Sequence, residues 1–195
     1  MKKFTVLALI LISIFMMVSG QDKKTALIII DIQDFYFPGG KSALVDPEKA
    51  AENAALLLSK FRKEKMTVIH VRHNSESQAE INKIVNPLPQ EKVVSKDAVN
   101  CFIGTDLLDY LRSQQIDNLV ICGMQTHMCV EAATRAATDY GFKCVVISDA
   151  CATKDLKFND IVIKSQDVHY STLSTLKSYA DVKSTNEYLD RLQVQ

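Results

Sequence analysis

Three residues of complementary chemistry stand at the ends of apolar runs: Asp31, Lys96 and Cys129. A thiol is a useful nucleophile only as thiolate. Cys129 falls at the start of a helix-like stretch, "CVEAATRAATDYG", where unpaired N–H groups and the helix dipole favour negative charge. A lysine beside it would lower its pKa further. An aspartate in hydrogen-bond reach could take the thiol proton and return it to a leaving group. Thiol, base and cation in one cleft suit nucleophilic acyl transfer, with N–H groups of the 124–129 turn free to stabilise an oxyanion. Each residue also has a plainer reading: Asp31 as a strand-end turn residue, Lys96 as a surface lysine, Cys129 as a buried thiol.

The elements that must bring them together are legible. "TALIIIDIQDF" (25–35) reads as a strand buried on both faces, as in the centre of a parallel sheet. Asp46-Pro47 supplies an N-cap and an N1 proline for an amphipathic helix over 47–65. Strands follow at 66–73 and 91–96, separated by the loop 74–91 that carries Pro87 and Pro89. A helix over 105–115 takes Thr105 as its cap; then come a strand at 117–124, a helix at 129–140 and a strand at 143–150. The C-terminal part reads as a helix over 158–178, a short strand at 180–184 and a helix over 185–193. This alternation predicts a three-layer α/β/α sandwich around a six-stranded, mainly parallel, Rossmann-like sheet. Ligands of such sheets bind outside the carboxyl ends of the strands, where Asp31, His73, Lys96 and Cys129 fall. On the helix that follows the thiol, Ala132, Ala133, Ala136 and Ala137 allow close approach to the sheet.

Composition sets the outer bounds. The 195 residues are 47% hydrophobic and 24% charged, which suits a single folded domain. Lys plus Arg and Asp plus Glu both number 23, so no basic surplus points to nucleic acid. Residues 1–20 differ from the rest: Met1-Lys2-Lys3, the apolar run "FTVLALILISIFMMV", then Val18 and Gly20 placed for cleavage after Gly20. That is the layout of a signal peptide, with 21–195 as the mature domain, exported to the periplasm or beyond and left with no membrane anchor after cleavage; a retained N-terminal anchor is the alternative. Five cysteines, an odd number without any CxxC, leave at least one thiol unpaired even in an oxidising compartment. Cys122 and Cys144 lie inside apolar strands and read as buried small hydrophobes.

The segments "LIIIDIQDFYFPGG", "VVSKDAVNCFIGTDLLDYLR", "LVICGMQTHMCVEAATRAATDYGFKCVVISDAC" and "VHYSTLSTL" resemble the isochorismatase-like cysteine hydrolase superfamily over about residues 25–184. The likeness rests on D-x-Q-x-x-F after the first strand, a Lys ahead of F-x-G-T-x-L, and G-x-x-T-x-x-C-V before an alanine-rich helix. It implies an Asp31/Lys96/Cys129 triad. It also implies a cis Met124–Gln125 peptide that aims the Gln125 N–H, with that of Cys129, into an oxyanion hole. Oligomers are common in the superfamily, so a homo-oligomer is the implied state.

Nicotinamidases of this superfamily carry a metal on an Asp-x-His and a further His. The corresponding stretch here, "VIHVRHNSESQAEINK", offers only His70 and His73. At i and i+3 on a strand they point to opposite faces, so neither a metal nor another cofactor is expected. The thiol favours hydrolysis of a C–N bond in a small amide or carbamoyl compound through a thioester. The alternatives are vinyl ether hydrolysis of the isochorismatase type and a non-enzymatic thiol or binding protein on the same fold. Gln33 follows Asp31 closely enough to hydrogen-bond near the site. Phe35, Phe37 and Phe102 flank the triad in sequence, as pocket wall or as ordinary core. His73 reads as a loop or pocket residue, and His127 as facing solvent, pocket or a subunit interface.

Overall fold

The computed structural model describes residues 24–192 apart from 76 and 78. The leader expected over residues 1–20 lies outside them. Among the described residues five α-helices and eight strands follow in order: β1 (Lys24–Ile30), α1 (Pro47–Lys63), β2 (Thr67–His73), β3 (Lys92–Lys96), α2 (Leu107–Ser113), β4 (Ile116–Met124), α3 (Glu131–Asp139), β5 (Lys143–Ala152), β6 (Leu156–Phe158), β7 (Ile161–Ile163), α4 (Ser165–Leu176), β8 (Ala180–Lys183) and α5 (Thr185–Arg191). Six strands form one sheet in the order β3-β2-β1-β4-β5-β8, every pairing parallel. This is the anticipated three-layer α/β/α architecture.

The sheet explains its own sequence. β1 is central, and Ala26 to Ile30 are at most 1% exposed, so both faces of the strand must be apolar. From β1 the chain steps outward to β2 and β3, then returns to β4 on the other side of β1. Right-handed crossovers in opposite directions put their helices on opposite faces. α1 and α5 pack together on one face, α3 and α4 on the other. The reversal creates a crevice at the carboxyl ends of β1 and β4, where such sheets bind ligands.

Several local expectations shift. Pro47 opens α1, but Asp46 is left-handed (φ 49°) and its side chain makes no capping bond. Thr105 accepts the Leu107 N–H at 3.4 Å, yet the helix proper starts after Asp106. The stretch before α3 is not its first turn: residues Thr126–Val130 form a π-helical turn. The largest difference is at 158–163, expected to open a helix and found within the antiparallel β6–β7 hairpin. Asn159 turns it with φ 53°, and the β-branched run Ile161-Val162-Ile163 favours extended backbone. Asp155 then accepts the Ser165 N–H at 2.8 Å and fixes the late start of α4.

β1 and β4 approach most closely at Gly123, which sits at φ 128°. A Cβ there would lie 2.0 Å from the Ile30 carbonyl oxygen. Both the left-handed φ and the backbone contact therefore require glycine. We expect Gly123→Ala to cost about 3 kcal/mol or more, lowering the melting temperature by roughly 6 °C or more. Calorimetry checks it, and an unchanged melting temperature would contradict this account of the crevice.

Candidate active site

Each strand ending at the crevice delivers one side chain. Ile30 pairs with Val71 of β2 and Gly123 of β4, while His73 of β2 pairs with Lys96 of β3. Asp31, His73, Lys96 and Met124 thus sit along one carboxyl edge of the sheet. Asp31 leaves β1 in the left-handed region (φ 49°), its N–H bonded to the Val71 carbonyl at 2.9 Å. Non-glycine residues take that conformation rarely and mostly where function or packing holds them.

Lys96 reaches from β3 past the end of β2 to join the other two. Its Nζ lies 2.8 Å from Asp31 Oδ2 and donates to Cys129 Sγ at 3.3 Å. It also donates to the Ala98 carbonyl at 3.1 Å and stands 3.3 Å from His73 Nδ1. Asp31, Lys96 and Cys129 are 0%, 1% and 5% exposed. The Lys96 ammonium and the Cys129 thiol adjoin the Asp31 carboxylate, which has no other hydrogen-bond partner among the described residues. A carboxylate with free lone pairs beside a thiol is arranged to accept a proton.

The electrostatics differ from the expectation of a stabilised thiolate. Burial pushes the Cys129 thiol up to about 12, and the Asp31 charge adds to the rise, while Lys96 pulls the other way. Burial likewise raises Asp31 above the usual carboxylate range despite the Lys96 charge. For Lys96, burial opposes the ammonium, but the negative charges of Asp31 and Cys129 outweigh it and the amine stays above its ordinary value. Burial thus works against the charged forms of both Cys129 and Asp31, whereas the neighbours of Lys96 favour its ammonium.

The thiol is positioned by the turn ahead of α3. The Met124–Gln125 peptide is cis. Met128 and Val130 return their N–H groups to the Gln125 carbonyl at 3.1 and 3.3 Å. Thr126 Oγ1 donates to the Ala152 carbonyl at 3.2 Å and lies 2.9 Å from His169 Nδ1. His127, whose orientation the sequence leaves open, faces Thr153 Oγ1 at 2.7 Å through Nδ1. A cavity of about 520 Å³ lies behind this turn, between α1, β5 and α4. His169 and Thr153 line it, and no member of the triad does.

Other sequence candidates take distinct places. Gln33 is a staple: its Nε2 donates to the His73 and Ala79 carbonyls at 3.0 and 2.7 Å, and its Oε1 accepts the His73 N–H at 2.7 Å. The amide is fully used in tying the loop after β2 to the loop after β1. Phe35, Phe37 and Phe102 are buried; Phe35 meets Tyr36 edge-on at 4.3 Å and Phe102 packs on Tyr140 at 5.3 Å. His70 is buried and lies 3.0 Å from Glu91 Oε2, away from His73. Among the described residues no three His, Cys, Asp or Glu side chains gather closely enough to hold a metal ion.

Two neighbours went unread in the sequence. Tyr36, between two phenylalanines that drew attention, accepts a hydrogen bond from Gln125 Nε2 at 3.4 Å. Cys101, in the loop just past Lys96, is buried near enough that Asp31 joins burial in raising its thiol to about 12. All five cysteines are free and buried.

Because the Asp31 charge raises the Cys129 pKa, removing it must lower that pKa while Lys96 remains. We expect Asp31→Asn to shift the pH midpoint of Cys129 alkylation downward from about 12, read by mass spectrometry. A midpoint that stays or climbs would refute this assignment of the local field.

A family model, Isochorismatase domain, matches residues 25–178. The isochorismatase family protein YddQ of Bacillus subtilis is 44% identical over 177 residues, covering 85% of this chain and 98% of its own. Maleamate amidohydrolase of Pseudomonas putida is 26% identical over 89% of each chain. The crystal structure of an isochorismatase from Pseudomonas putida superposes with a TM-score of 0.81 at 31% identity, over 90% of this chain and 96% of that one. With the family's sheet order, helical layers and motifs all in place, this chain belongs to the isochorismatase family of hydrolases.

Proposed function

We propose that this hydrolase cleaves the C–N bond of a small amide through a thioester on Cys129. One observation carries the reading: a buried ammonium lies 2.8 Å from a carboxylate with free lone pairs and 3.3 Å from a thiol. Asp31 takes the Cys129 proton as sulfur attacks the carbonyl carbon. The N–H groups of Gln125 and Cys129 hold the resulting oxyanion. As the tetrahedral intermediate collapses, Asp31 passes the proton to the departing nitrogen and the amine leaves. Water then attacks the thioester, Asp31 accepts its proton, and the acid departs as the thiol is restored. Lys96 remains protonated throughout; it orients Asp31 and balances negative charge as it moves between oxygen and sulfur. The likeness to maleamate amidohydrolase, an enzyme named for its amide substrate, supports this class of reaction.

The test is ammonia release by the purified protein from a panel of small amides that includes maleamate. Cys129→Ala should reduce turnover on the order of 10³-fold or more, as nucleophile removal does elsewhere. Asp31→Ala should do the same. Vinyl ether hydrolysis would require Asp31 but survive loss of the thiol, so a Cys129→Ala enzyme with full activity sinks the thioester route. A pH profile adds a second check. With the Asp31 carboxyl held above its usual range by burial, the acid limb of kcat/KM should lie above the ordinary aspartate value near 3.8. An acid limb at or below that value would exclude Asp31 as the base.

A further inference from the structure

None of the proton transfers above uses the side chain of Gln125. It is 5% exposed, and its Nε2 donates to the Tyr36 hydroxyl at 3.4 Å. Its Oε1 has no hydrogen-bond partner among the described residues. Buried oxygens are seldom left this way unless something absent completes them. Since the Tyr36 hydroxyl accepts from Gln125, its own hydrogen remains to be donated.

The pair lies within electrostatic reach of the chemistry: beyond the effect of burial, the charges of Asp31 and Cys129 both raise the Tyr36 hydroxyl pKa. Gln125 also begins the turn that presents Cys129. Asp31 has the Lys96 ammonium 2.8 Å from Oδ2 and the Cys129 thiol beside it, whereas Gln125 Oε1 is buried with no donor among the described residues. The moving proton occupies Asp31 during the reaction. For Gln125 no group of the protein does so.

We propose that Gln125 and Tyr36 are specificity-determining residues: Gln125 Oε1 accepts an N–H or O–H that the substrate carries beside the carbonyl under attack, and Tyr36 holds the carboxamide in that orientation. A substrate group with only acceptors at this position would face lone pair against lone pair and be rejected. The proposal rests on Cys129 being the nucleophile.

Iodoacetamide and iodoacetate test it without any substrate. Both alkylate sulfur by displacing iodide, with the thiol proton lost to Asp31 or solvent. They differ where it matters: the amide offers two N–H groups and the acid offers only acceptor oxygens. Rates at Cys129 are measured by mass spectrometry at one pH, and their ratio is divided by the same ratio for glutathione. The wild-type protein should favour iodoacetamide by about tenfold or more after this correction. Gln125→Leu should bring the corrected ratio close to that of glutathione, and Tyr36→Phe should lower it part of the way. Gln125→Glu keeps an acceptor and should retain or increase the preference. A purely structural role would not separate leucine from glutamate in this manner, and it also serves if the leucine variant fails to fold.

A ratio unchanged by Gln125→Leu and Tyr36→Phe, or a wild-type preference for iodoacetate, overturns the proposal while leaving the nucleophile in place. Failure of both reagents to label Cys129 at any pH removes the nucleophile itself, and this pocket with it.

Discussion

A lysine ammonium withdrawn from water costs several kcal/mol unless charge and hydrogen bonds replace what the solvent supplied. Lys96 is 1% exposed, and the crevice is organised around meeting that cost. Asp31 provides the countercharge, the Ala98 carbonyl and Cys129 sulfur accept two of its hydrogens, and His73 Nδ1 stands at 3.3 Å. Four segments must therefore converge: the ends of β1, β2 and β3, and the turn after β4.

That convergence depends on stapling done some distance away. β3 is an edge strand, paired in the sheet with β2. Its entry is fixed by Glu91, which takes Arg62 Nε and Nη2 at 2.7 Å each, the Leu88 N–H at 2.8 Å and His70 Nε2 at 3.0 Å. Burial of Glu91 works against its charge, but these donors prevail and hold its carboxyl down at about 2. α1 thereby anchors the strand that carries Lys96. On the other side Gln33 binds the loops after β1 and β2 to each other, so the exits of Asp31 and His73 move together.

The thiol of Cys129 is held by different means. Thr126 and His127 are gripped from behind by Ala152, His169 and Thr153, all on β5 or beyond it. The extension of β5 past its register break with β4 brings Ala152 and Thr153 within reach. The cavity behind the turn lies against these same gripping residues and not against the sulfur. The two polar systems, one in front of the turn and one behind it, confine Cys129 between the Asp31–Lys96 pair and the residues that grip the turn.

Much of this was legible along the chain, because periodicity and end signals are local. The double-sided burial of β1, the small-residue face of α3, the alternation of strand and helix, and the three reactive residues at strand ends all follow from side-chain pattern and sheet geometry. Where local signals competed, the reading erred: Asn159 and the β-branched residues after it outweighed helical spacing and made a hairpin. What no local pattern contains is the balance of long-range forces. Dipole and lysine favour an ionised thiol, yet the solvent that the fold removes from around Cys129 pushes its pKa the other way. The role of Tyr36, the use of the Gln33 amide, and the nearness of Cys101 are likewise properties of distance between segments far apart in sequence. The chain by itself determined which groups could react and at which sheet edge they would stand; packing alone decided the electrostatic field around them and their partners, because desolvation and hydrogen-bond geometry exist only once those segments meet.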